Sequence, residues 1–386
     1  MPMTPISERD RRWAAAREIM QKRNVDVVIG NGDLGDQWAS LRYFSGYRSM
    51  YDDAAIMVFR DNDAELVVVH PGVGGFAAWT SWVEQPVMAS IPASLESNSQ
   101  AQHILDKGPT VGGEIANQLN KRGITRVGIA DTEHFSSGWK ETIEAAVPGV
   151  SFVNLAEDVG ALRLVKSKYE QDCVREACRI SDVIWEQMGD FMQVGRKRYE
   201  VLADWETIIR QNGCEDSFNL LLPLPHLKEP LDRAPHSELL VKEGDVFCTE
   251  VSPRYHGYYG QQTGIVALGP VSDDIQKAYD AVNRAREAGL KIAKPGVDVV
   301  EISAACNKSL EADGYMGNPP VVGHFNGLDL EEPPFGRKSI ILEEGMTFIF
   351  HPFATGFPAV MRADTYVVTG SGTECLTSEN LGPLML

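Results

Sequence analysis

The apolar pattern changes character once along the chain, near residue 155, and the two halves demand different cores. Before that point, short apolar segments alternate with helical ones: "VDVVIG" at 25–30, "AAIMVF" at 54–59, "ELVVVH" at 65–70, "TRVGIA" at 125–130 and "VSFVNL" at 150–155. Residues 8 to 23 and "GWKETIEAAV" supply the helices, and "RDND" is the turn between the second and third strands. Such alternation predicts a small α/β domain. Beyond it, a long amphipathic helix over 162–192 and a second over 198–213, closed by a left-handed cap at Gly213, precede the strands "GDVFCTEVSP" and "GYYGQQTGIVAL". Two more helices, "DDIQKAYDAVNRAREAGLKIA" and "DVVEISAACNKSLEADG", precede "GMTFIFHPF" and "TYVVTG". The second domain is therefore predicted to be α+β, with helices packed on antiparallel sheet. The expected boundary divides the chain into 1–160 and 161–386.

With 386 residues, 43% of them hydrophobic and 23% charged, the chain has the composition of an ordinary globular protein with a large core. A net charge of −18 argues against nucleic acid and anionic membrane surfaces as partners, because long-range attraction to phosphate is missing. The first twenty residues are charged and helical in pattern, without the apolar centre of a signal peptide, and no window reads as a membrane span. A cytoplasmic location is the expectation. Six cysteines are scattered without metal-type spacing. Cys173 and Cys178, five apart on a helix, point to different faces, so buried reduced thiols are expected rather than disulfides. The glycine turns "GVGG" and "VGGE" lack a dinucleotide fingerprint, "GDLGDQ" is no complete calcium loop, and no Gly-x-Ser-x-Gly elbow is present.

Six segments in order carry a resemblance. They are "LRLVKSKYEQDCVREACRIS", "GDVFCTEVSPRYHGYYGQQTG", "KPGVDVVEIS", "GHFNGLDLEEPP", "LEEGMTFIFHP" and "MRADTYVV" followed by "GTECLT". Together they resemble the creatinase, prolidase and aminopeptidase P family, over nearly the whole chain. The resemblance implies a creatinase-like α/β N-terminal domain followed by an α+β pita-bread catalytic domain.

Peptidases of that family hold two divalent metals with Asp, Asp, His, Glu and Glu. The matching positions here are Glu250, Gln261, His324, His351 and Ala363, so only the histidine is unchanged. Two nearby dications need several anionic oxygens to offset their repulsion, whereas Gln261 brings one neutral carbonyl and Ala363 brings nothing. The expectation is a site without metal. The alternative is a single divalent ion on Glu250, His324 and His351, with Glu331 as a fourth ligand.

Creatinase is the family precedent for metal-free hydrolysis. By that likeness, His324 and His351 face one another and move protons, since a near-neutral imidazole is the natural base at physiological pH. Glu331 falls where the peptidases carry a substrate-contacting histidine. Glu250 ends an apolar strand and needs a partner or a positive substrate, Gln261 offers both donors and an acceptor, and Arg362 is expected among the pocket's polar groups. The family's upstream catalytic histidine maps by count to Arg233, a fixed cation able to hold a carboxylate, while His236, three residues later, is the preferred occupant if the loop is shifted. Family members of the creatinase type are homodimers in which one N-terminal domain reaches the partner's active site. "RYFSGYRSMYDDAA" is the matching loop here, so Arg48, Tyr51, Asp52 and Asp53 are candidate substrate contacts.

The resulting expectation is a homodimeric, creatinase-like hydrolase acting on a C–N bond of a small non-peptide substrate. A lyase or decarboxylase with no metal or one, and a non-catalytic binding module, are the alternatives. A pocket this rich in polar groups is costly without a ligand or water network to satisfy them, which favours an enzyme.

Overall fold

A computed structural model describes residues 4–32, 39–49, 53–61, 63–68, 71–90, 108–224, 239–316, 322–332, 334–335, 338–355, 360–378 and 382–386. Contacts divide the chain into Met1–Leu162 and Arg163–Leu386.

The first unit is built on α1 (Ile6–Arg23), β1 (Val27–Gly32), α2 (Ala39–Ser45), β2 (Ala54–Phe59), β3 (Glu65–Val68), α3 (Pro71–Thr80), β4 (Val87–Met88), α4 (Val111–Arg122), β5 (Arg126–Ile129), α5 (Ser137–Ala146) and β6 (Ser151–Asn154). Its mixed sheet has the order β4-β3-β2-β1-β5-β6. Strands β1 and β2 are buried along their whole length, as their unbroken apolar runs require of strands covered on both faces. Val27, Ile29, Met57, Phe59 and Val127 meet Ile115, Leu119, Trp139 and Ile143 of α4 and α5 in one core.

Where the sequence pattern reads as one helix over 162–192, the chain makes three elements. Helix α6 (Ala156–Leu164) stops, Val165 forms a bridge with Met346, and α7 (Lys168–Glu186) begins afresh, followed by the short α8 (Met188–Phe191). The restart is a capping box at Ser167: its hydroxyl accepts from the Glu170 amide at 3.2 Å, and the Glu170 carboxylate accepts from the Ser167 amide at 2.8 Å. Capping satisfies the orphan donors of the first turn, so a break inside an amphipathic run is tolerated.

The rest of the second unit comprises α9 (Arg198–Gln211), β7 (Asp216–Pro223), β8 (Val246–Tyr255), β9 (Tyr258–Tyr259), β10 (Gln262–Ala267), α10 (Asp273–Leu290), α11 (Val299–Ala312), β11 (Gly323–Phe325), β12 (Pro334–Phe335), β13 (Thr347–Phe350), β14 (Phe353–Ala354), β15 (Val360–Met361), β16 (Asp364–Thr369), β17 (Gly372–Cys375) and β18 (Leu384–Met385). One sheet runs β18-β10-β8-β7 with β9 on β8, and a second runs β12-β11-β13-β16-β17. Paired backbone bonds between Thr263 and Ala363 join the two. Gly213 takes the positive φ of 85° expected of a helix stop.

Strand alternation then sorts side chains between two faces. Phe325, Phe348, Phe350, Tyr366 and Val368 enter a core with Ala278, Val282, Ile302 and Leu310 of α10 and α11. Phe247 and Val251 enter a second core with Ile180, Ile184, Trp205 and Ile209 of α7 and α9. By this alternation His324 on β11, Ile349 and the following His351 at β13, and Thr365 and Ala363 at β16 are turned away from the first core, whereas Glu250 and Ser252 on β8 are turned away from the second. All six cysteines carry free thiols. Among the described residues no helix is long and apolar enough to cross a membrane.

Candidate active site

His324 and His351 come together, with ring centroids 5.1 Å apart and planes inclined at 59°. Strand pairing explains the proximity: His324 lies opposite Ile349 on β13, and His351 follows that strand with its amide on the Val322 carbonyl at 2.8 Å. Nδ1 of His324 lies 3.2 Å from the Phe325 carbonyl. Burial lowers the pKa of His324 to about 4 and that of His351, which also feels the His324 ring, to about 3. The near-neutral pKa expected for the two rings is thereby corrected: both are uncharged at pH 7.

Glu250 behaves in the opposite way. Burial, reinforced by the charge of Glu331, pushes its pKa up to about 7. Glu331 is exposed, but its charge reaches both Glu250 and His351, raising the pKa of each. The group titrating near neutrality on this face is thus a carboxyl.

Gln261 is held rather than free. Its side-chain amide donates to Ser252 Oγ at 3.0 Å, its backbone N–H donates to Thr365 Oγ1 at 2.9 Å, and Thr365 Oγ1 donates to its carbonyl at 2.8 Å. Arg362 is placed elsewhere than expected. Arg362 and Asp364 take the helix-facing side of their strand, so the guanidinium, 1% exposed, donates to Asn283 of α10 at 2.8 Å and pairs with Asp364 at 3.1 Å. Asp364 also takes Arg286 at 2.8 Å and the Thr377 hydroxyl at 2.9 Å. A side chain so engaged braces the sheet against α10. In the first unit, Arg48 is half-buried and Asp53 is exposed ahead of β2. Tyr51, Asp52, Arg233 and His236 lie outside the described residues.

Sequence reasoning passed over Ser252, Thr365 and the buried Glu332. Nothing in "LEEPP" distinguishes the glutamate that goes inside from the one that stays out.

The donor set does not fit a pair of metal ions. Gln261 is neutral and already engaged with Ser252, and the Ala363 methyl, fully buried, offers no ligand. Among the described residues no group of three or more His, Cys, Asp and Glu is arranged to hold a metal ion.

An α/β domain followed by a pita-bread domain defines the creatinase and prolidase class of architecture. The chain belongs to metallopeptidase family M24, whose model matches residues 172–370, and the creatinase/prolidase N-terminal domain matches residues 12–165. It is 28% identical over 281 residues to an uncharacterized peptidase of Bacillus subtilis, covering 71% of this chain and 79% of that protein. It is 24% identical over 233 residues to a Xaa-Pro dipeptidase of Pyrococcus furiosus, covering 58% and 66%. The crystal structure of an X-Pro aminopeptidase from Thermotoga maritima superposes with a TM-score of 0.80 at 19% identity, covering 97% of this chain and 99% of that one, a likeness of fold.

Proposed function

We propose that the protein is a metal-independent hydrolase of a C–N bond in a small non-peptide substrate. The observation that carries this reading is an inversion of protonation: buried His324 and half-buried His351 are kept neutral, while the Glu250 carboxyl, linked to His351 by the charge of Glu331, is pushed up to about 7. A neutral imidazole takes a proton, here as a weaker base than an ordinary histidine because burial disfavours its cation, and a carboxyl near pH 7 gives one, the two roles that hydrolysis needs at once. Water held by the His324 and His351 rings attacks the carbon of the scissile bond while one ring takes its proton. Glu250 in its protonated form delivers a proton to the departing nitrogen. The Glu331 charge, which favours protonated His351, stabilises the imidazolium that forms. A second turn of proton transfer from imidazolium to the Glu250 carboxylate restores the starting state.

The names borne by its relatives, a peptidase and a Xaa-Pro dipeptidase, support hydrolysis as the reaction class. Neutral Gln261 and Ala363 at two of the five ligand positions separate this chain from the dinuclear mechanism. The test measures hydrolysis of guanidino, ureido and amide compounds and of Xaa-Pro dipeptides, with and without chelator and with added Mn²⁺, Co²⁺ or Zn²⁺, alongside elemental analysis. Chelator-resistant turnover of a non-peptide substrate, abolished in both His324→Ala and His351→Ala, is expected. Metal-dependent cleavage of a Xaa-Pro dipeptide, or turnover unchanged in either variant, overturns the reading.

A further inference from the structure

Directly after the first pocket histidine the chain turns back on itself, and one buried carboxylate closes the turn. Glu332 is 6% exposed, and its oxygens accept from Lys166 Nζ at 2.8 Å and from Arg163 Nη2 at 2.9 Å. Lys166 is itself 4% exposed. Arg163 Nη2 also meets Asp329 Oδ2, within the same turn, at 2.5 Å. Burial opposes ionisation of Glu332, but the two cations prevail and hold its carboxyl below the usual range. The backbone is drawn tight around this group. The Glu332 amide donates to the Phe325 carbonyl at 2.9 Å, and the Gly327 amide donates to the Asp329 carbonyl at 3.0 Å. A Cβ at Gly327 would stand 2.4 Å from Glu332 Oε1. From outside, the Asn326 amide group donates to the Tyr259 carbonyl at 2.6 Å, and the Thr347 hydroxyl donates to the Asn326 carbonyl at 3.0 Å.

The two pocket groups in this segment, His324 and Glu331, sit at its start and immediately before Glu332. We propose that Glu332, clamped by Lys166 and Arg163, is the positioning residue of the site: it closes residues 324–332 in one register, so that Glu331 faces Glu250 and the His324 ring stays buried. The consequence for turnover rests on the proposed hydrolysis; the clamp itself does not. Two adjacent glutamates leave the choice of inner and outer residue open, and apolar packing, being non-directional, does not resolve a slip by one residue. An ion cluster resolves it, because any other register buries Lys166 without its partner or leaves the carboxylate unpaired in the interior.

The test compares Glu332→Gln, the charge-neutral pair Lys166→Met/Glu332→Gln, and Gly327→Ala, which keeps every charge but displaces the carboxylate. The readout is the ¹⁵N imidazole signature of His324 at pH 5.5, which needs no substrate and so stands or falls apart from the proposed chemistry. In the wild type the ring is neutral. Losing the Glu332 charge alone makes protonation harder, since that charge favours imidazolium. Release of the segment exposes the ring and returns it toward its ordinary value near 6.5, giving a rise of roughly tenfold or more in the ratio of protonated to neutral ring. A rise in the folded double variant, and a smaller one in Gly327→Ala, is the expected result. Should the neutral pair fail to fold, Gly327→Ala decides alone. A ring that stays neutral in the folded double variant, or in Gly327→Ala where that variant decides alone, overturns the proposal. With a substrate in hand, kcat falls at least about tenfold in the double variant while KM changes less.

Discussion

Replacing His324 by Asn removes a group whose protonation the folded state resists, and the effect is readable as a change in how stability depends on pH. The folded pKa is about 4, against roughly 6.5 in an unfolded chain. A depressed value means that stability is intact above pH 6.5 and is lost as pH falls through the window down to about 4. Between pH 7 and pH 5 the unfolded state gains nearly the whole advantage of about 1.5 pH units, which at about 1.4 kcal/mol per unit is about 2 kcal/mol. The Asn variant lacks this term. It retains a slope from His351, whose depression is due first to burial and only second to its neighbour. Native-state hydrogen exchange of the Phe348 and Ile349 amides on β13, corrected for intrinsic rates, measures the opening free energy of this sheet at both pH values. Comparing the pH difference within each protein cancels the loss of packing that Asn causes at any pH. The wild type should lose about 2 kcal/mol more than the variant on going from pH 7 to pH 5. Equal losses in the two proteins would refute the placement of a neutral, buried imidazole on this face.

Two further outcomes follow from the same geometry. Glu250 has the opposite displacement, up to about 7, so its contribution is present below pH 4.5 and is lost as pH rises through 7; Glu250→Gln is therefore more stable than the wild type by about 2 kcal/mol at pH 8, allowing for its partial exposure, and equal to it at pH 4.5, as urea titrations at the two pH values will show. A Cβ at Gly323 would lie 2.2 Å from the Ile349 carbonyl oxygen, a backbone atom that cannot move without parting β11 from β13, so Gly323→Ala lowers stability by about 3 kcal/mol or more in a thermal melt and disturbs the His324–His351 approach.

Much of the fold was legible because periodicity is a local property. The runs at 54–59 and 126–129 become strands, and the amphipathic stretches at 198–211 and 273–290 become helices, because each segment has one way to bury its apolar residues. The break at 165–167 was not legible that way. Leu162, Leu164 and Val165 continue the apolar rhythm, and the Ser167–Glu170 box is outweighed by it in any pattern count. Met346, far along the chain, is what draws Val165 out as a bridge.

The candidate site divides along the same line. In the sequence, the resemblance to the family's motifs grouped positions 250, 261, 324, 351 and 363, and side-chain chemistry alone set neutral Gln261 and Ala363 against a pair of metal ions. Those are statements about which atoms a side chain carries. Only the tertiary structure decided that the two imidazoles are neutral, that burial pushes the Glu250 carboxyl up to about 7, that Arg362 turns toward Asp364, and that Glu332 rather than Glu331 is drawn inside. Each of these depends on burial and on charges brought close by distant segments. The free energy of an ionised group is set by the medium and the neighbours around it, and sequence order specifies neither.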